Sequence, residues 1–94
     1  MKYVLVTYER AHDAIEAMEA VSECGICGAV LIPRPRTLTA KCGIALRVNA
    51  TAARQVLGVL LQRGLVGEIY ASEDGRRWVQ ARLEQFVSKG NQDE

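Results

Sequence analysis

Three cysteines are the side chains best equipped for chemistry in this 94-residue chain, and their spacing divides them into two kinds. Cys24 and Cys27 form a Cys-Gly-Ile-Cys pair, a spacing shared by redox dithiols and by half of a zinc site. Cys42 stands alone between Lys41 and Gly43. An odd number of cysteines cannot close a disulfide framework. Glu9, Arg10 and Asp13 also interrupt any apolar leader after Met1. The thiols are therefore expected to stay reduced in a cytoplasmic protein.

The surroundings of Cys42 point toward an anion. Between Cys24 and Gly67 there is no acidic residue, while Arg34, Arg36, Lys41, Arg47, Arg54 and Arg63 supply six positive charges. Neighbouring cations favour a thiolate over a thiol. Gly43 permits the close backbone approach of an anion-cradling nest, and Pro33 and Pro35 stiffen the loop that carries Arg34 and Arg36. His12 is a candidate proton partner. The expected site is thus Cys42 as the reacting group, with Arg34, Arg36, Lys41, Gly43 and His12 around a bound anion. The bland alternatives are a cysteine packed at a strand edge, arginines that solvate a loop, and a solvent-facing histidine in a first helical turn.

For Cys24 and Cys27 the residues favour packing. The pair straddles the end of a helix, whose negative pole opposes a thiolate. The single histidine is expected at the opposite end of the sheet, which leaves a four-ligand zinc site incomplete. Both are expected to act as small hydrophobes, and no metal is expected.

The elements that position these residues follow from periodicity. Lys2 to Tyr8 is rich in β-branched and aromatic residues and predicts a first strand. Ala14, Ile15, Met18 and Val21 recur at helical spacing after Asp13, which with Glu16 predicts a capping box, and Gly25 predicts the helix end. Ala29 to Ile32 and Ile44 to Val48 predict two strands. Asn49 or Thr51 caps a second helix with the stripe Ala53, Val56, Leu57, Leu60 and Leu61, closed by Gly64. Val66 to Ala71 predicts a fourth strand and Asp74-Gly75 a turn. Val79, Leu83, Phe86 and Val87 predict an amphipathic helix over Arg77 to Val87.

This order predicts an α+β fold: a ferredoxin-like βαββαβ two-layer sandwich with strand order 4-1-3-2 and an additional C-terminal helix. Residues 1–72 form the ferredoxin-like core. Residues 73–88 form the helix, packed on the core or on a dimer partner, and residues 89–94 are a polar tail. Such a topology places the Cys42 loop and the start of the first helix at one end of the sheet. Cys24 and Cys27 fall at the other, roughly 16 Å away across a five-residue strand.

Composition excludes several classes. At 49% hydrophobic and 24% charged, the chain is neither disordered nor fibrous. Its longest uncharged stretch, Cys24 to Pro33, is far short of the ~20 apolar residues that span a bilayer. Net charge is +1, and every aromatic lies outside the basic segment, which argues against nucleic acid.

The run from Leu31 to Arg47, with Pro33-Arg34-Pro35-Arg36 followed by Cys42-Gly43, resembles the signature of the selenium/sulfur carrier protein-like family. Its members are short cytoplasmic prokaryotic proteins. The resemblance extends over roughly residues 3 to 71. It implies carriage of sulfur or selenium on a cysteine, and the matching position is Cys42. The implied function is a carrier that holds the chalcogen as a persulfide or selenosulfide, with donor and acceptor proteins as partners and no resident cofactor beyond that transient atom. A carrier is expected rather than a self-contained enzyme, since no nucleophile–base–acid constellation is visible. The competing reading is a small-molecule-binding or regulatory ferredoxin-like module without thiol chemistry. No membrane or nucleic-acid partner is expected, and a homodimer is one candidate state.

Overall fold

A computed structural model describes residues 1–39 and 41–87. The elements are β1 (Tyr3–Thr7), α1 (Ala11–Glu23), β2 (Ala29–Pro33), β3 (Ile44–Asn49), α2 (Ala50–Arg63), β4 (Glu68–Ser72), β5 (Val79–Ala81) and a 3-10 turn at Leu83–Gln85. The five strands form one antiparallel sheet in the order β2-β3-β1-β4-β5. Since β3 is antiparallel to both β1 and β2, those two strands run the same way. The first four strands thus keep the neighbours expected of them, and a fifth extends the β4 edge.

Strand alternation divides the core in two. Val4 and Val6 of β1, Leu46 and Val48 of β3 and Ile69 of β4 face the helices, where they meet Ala17, Val21, Val56 and Leu60. Leu5 and Ala45 face the other way and are covered by Leu38 from the β2–β3 loop, with Trp78 packed alongside. Part of the second sheet face is therefore covered by chain outside the helices.

Local signals differ from expectation at the start of each helix, and at α2 Asn49 holds the N-cap position without a side-chain cap bond. α1 begins at Ala11, after an extended Arg10, with no side-chain cap. Asp13 sits inside the first turn, where it pairs with Arg10 at 3.7 Å instead of forming a capping box with Glu16. α2 closes as expected on Gly64, whose φ of +68° is the left-handed conformation glycine adopts without strain.

The C-terminal helix over Arg77 to Val87 is absent. Residues 79–81 instead add a strand, with Val79 opposite Ala71, Gln80 opposite Tyr70 and Ala81 opposite Ile69. The cause lies in the preceding turn. The Ser72 hydroxyl accepts the N–H groups of Asp74 and Gly75, and the Asp74 carboxylate accepts those of Arg76 and Arg77. These bonds steer the chain back along β4, where an open ladder edge satisfies the backbone at once. Three residues of the expected stripe still serve, since Phe86 is buried and Leu83 and Val87 pack against the main core, whereas Val79 is left exposed. The expected polar tail at 89–94 lies outside the described residues.

Candidate functional site

Cys42 lies where the end of β1 meets the loop returning into β3. Its N–H donates to the Tyr8 carbonyl at 3.3 Å, and Arg34 N–H donates to Gly43 O at 2.9 Å. The second bond continues the β2–β3 ladder beyond Pro33. The Cys42 sulfur accepts the Ile44 N–H at 3.4 Å. Such a bond strengthens when the acceptor carries charge.

Burial among the three thiols runs opposite to the expected packing. Cys42 is only 4% exposed, whereas Cys24 and Cys27 are both exposed. The inversion has a simple origin. Gly25 turns the chain out of α1 at φ +71°, and both flanking cysteines stay on the turn's surface. Cys42 instead is buried beside the end of β1, in the loop that Leu38 packs onto Leu5 and Ala45.

The predicted companions of Cys42 are only partly gathered. Arg34 donates through Nη1 to Leu38 O at 2.9 Å, so it holds the loop's own backbone. Arg36, Lys41 and Gly43 are exposed on the same loop. His12 is not brought to the thiol: it is exposed on α1, with Nε2 3.9 Å from Glu16. Three residues missed by the sequence reading complete the site. Tyr8 supplies the carbonyl under Cys42, and its hydroxyl donates to Leu65 O at 2.6 Å. Burial, aided by the nearby Asp13 charge, pushes its phenol well above the usual range, so it anchors and does not exchange protons. Ile44 supplies the amide to sulfur, and Leu38 packs the same loop onto Leu5 and Ala45. Leu38 was detectable as a lone apolar residue between two threonines.

Beside the loop opens a cleft of about 1050 Å³, whose walls include Tyr8, Arg10, Thr39, Lys41, Glu68 and Tyr70. Cys42 does not line it. Gly67 forms part of its floor and packs so tightly on the Thr7 carbonyl that a Cβ would overlap it. Among the described residues, no group of three or more His, Cys, Asp or Glu side chains could hold a metal ion. No helix among them is long and apolar enough to cross a membrane.

Fold and site together define a small mixed α/β domain carrying a cysteine in an acid-free, cation-rich loop. Residues 2–70 match the model of the family described as putative Se/S carrier protein-like, and the chain belongs to that family. No curated protein and no solved structure matches the chain.

Proposed function

We propose that this protein carries sulfur or selenium on Cys42, within a ferredoxin-like core to which β5 has been added. The observation that carries the reading is the Cys42 sulfur in a basic loop with the Ile44 amide directed at it. Family membership supplies the chalcogen. In the loading step the Cys42 thiolate attacks the terminal sulfur of a donor protein's persulfide. The donor's S–S bond breaks, the Cys42 S–S bond forms, and the donor leaves as its thiolate, so no external oxidant enters. A selenium donor reacts in the same way to give a selenosulfide. Because the thiol is covered, loading requires the loop bearing Arg34 and Leu38 to part from the sheet. Docking of donor or acceptor protein would supply that opening.

A second reading, a small-molecule-binding module without thiol chemistry, is favoured by the cleft, which bypasses Cys42. Intact-mass analysis after incubation with a cysteine desulfurase and cysteine separates the two. Carriage predicts addition of one sulfur atom to the wild type and to Cys24→Ser, and none to Cys42→Ser. Loading that survives Cys42→Ser removes the carrier role from this thiol.

A further inference from the structure

The Cys-Gly-Ile-Cys pair serves neither the Cys42 site nor the core. Free cysteine is among the most buried residue types, yet both members of this pair are exposed. The turn between α1 and β2 is the cause. Gly25 N–H donates to Ser22 O at 3.0 Å and Ile26 N–H to Val21 O at 3.2 Å, the two bonds of a Schellman motif. Ile26 is the residue of this turn that packs against the core. Cys24 and Cys27, three positions apart, are left on its outside.

Reactive thiols occupy exposed positions beside a cation. Cys24 has such a cation: Arg63 donates through Nη2 to its sulfur at 4.0 Å and through Nη1 to Glu23 at 3.1 Å. A hydrogen bond of this kind strengthens when the sulfur carries charge. Next to the contact lies an open groove of about 250 Å³, walled by Glu16, Glu19, Glu23 and Arg63 with Ala20 and Leu65. Three carboxylates against one guanidinium leave the groove net negative. It is below the size of a typical drug-sized pocket and suits one substituent of a small molecule whose sulfur meets Cys24.

We propose that Cys24 and Cys27 are a second reactive site, a dithiol that reduces low-mass disulfides and takes those bearing ammonium groups in preference to those bearing carboxylates. The Cys24 thiolate attacks one sulfur of the disulfide. The disulfide's S–S bond breaks, a mixed disulfide forms on Cys24, and the first small thiol leaves as its thiolate. The Cys27 thiolate then attacks the Cys24 sulfur. The mixed disulfide breaks, the Cys24–Cys27 bond forms, and the second small thiol leaves. Two electrons pass from the pair to the disulfide, and the released thiolates take up the protons that the two cysteines gave up. Cys27 is tethered two residues beyond Gly25, so the second displacement is intramolecular and outruns a free thiol. Cys42 takes no part, and the reaction is independent of chalcogen carriage.

The test uses the reduced full-length protein with cystamine, a dicationic disulfide, and with oxidised glutathione, an anionic one. Trypsin places Cys24 and Cys27 together in residues 11–36, because Pro35 blocks cleavage after Arg34, and separates them from Cys42. In the wild type this peptide is expected to lose two hydrogen atoms and to keep no cysteamine. Cys27→Ser is expected to keep one cysteamine on Cys24. Raising the ionic strength from about 0.01 M to 1 M contracts the Debye length from roughly 30 Å to 3 Å. The cystamine rate should then fall several-fold while the glutathione rate rises. A wild-type peptide that keeps cysteamine without closing a disulfide overturns the proposal, as does one that does not react. A cystamine rate that holds or rises with salt overturns it as well.

Discussion

Truncating Leu38 tests whether the loop that bears Cys42 must part from the sheet before its thiol is reached. Leu38 is 8% exposed and closes a small cluster with Leu5 and Ala45 that is separate from the main core. Burying a leucine at the periphery places Leu38→Ala near the low end of such substitutions, about 2 kcal/mol. If reagent reaches Cys42 only when the loop parts from the sheet, that loss lowers the cost of opening directly. Each 1.4 kcal/mol is about a tenfold change, so the rate of alkylation should rise roughly 30-fold. The assay is iodoacetamide modification under native conditions in a Cys24→Ser, Cys27→Ser background, followed by intact mass. Val21→Ala is the control, since Val21 is fully buried near the far end of α1. It should lower global stability in urea while leaving the alkylation rate of Cys42 nearly unchanged. Two results refute the reasoning: a Leu38→Ala rate equal to wild type, or a Val21→Ala rate that rises as much. The first means that the thiol is reached without the loop moving, the second that it is reached only through global unfolding.

Other expectations concern stability. Cys24→Ser and Cys27→Ser alter exposed side chains and should each shift urea stability by less than about 0.5 kcal/mol, whereas Cys42→Ser places a hydroxyl under the loop and should cost about 1–3 kcal/mol. Gly67→Ala forces a methyl group into the Thr7 carbonyl, and its urea midpoint should fall by the equivalent of about 3 kcal/mol. Backbone N–H groups of Arg77 and Arg76, with the Ser72 hydroxyl, hold the Asp74 carboxyl down from 3.8 to about 2. A depressed carboxyl stabilises the fold above its unfolded pKa and loses that contribution as pH falls through the folded value. The melting-temperature gap between wild type and Asp74→Ala should therefore be widest above pH 4 and close as pH drops toward about 2. A gap that stays constant across this range would show that the turn does not depend on the ionised carboxylate.

Much of the frame was legible because local signals and tertiary packing agree there. The alternation in β1, the apolar stripes of α1 and α2, and Gly25 and Gly64 as stops all specify elements whose buried faces meet in one core. The C-terminal segment was misread because its apolar spacing suits a helix taken alone. The competing strand is stabilised only by an edge far back in the chain, at Ile69 to Ala71. The same limit governed the site. Cys42 and its basic loop are visible as residue types, but which cysteine is buried depends on how the loop packs on the sheet.

The sequence alone determined the two βαβ halves, the acid-free basic segment and the placement of Cys42 at the opposite end of the sheet from Cys24 and Cys27. Each of these depends on neighbours in the chain or on a direction forced by short connections. The tertiary structure decided the exchange of burial among the thiols, the Tyr8 carbonyl and Ile44 amide around Cys42, and the placing of His12 beside Glu16. It also decided the fifth strand. Those features are set by contacts between residues distant in sequence, and the free energy of such contacts exists only once the sheet has brought them together.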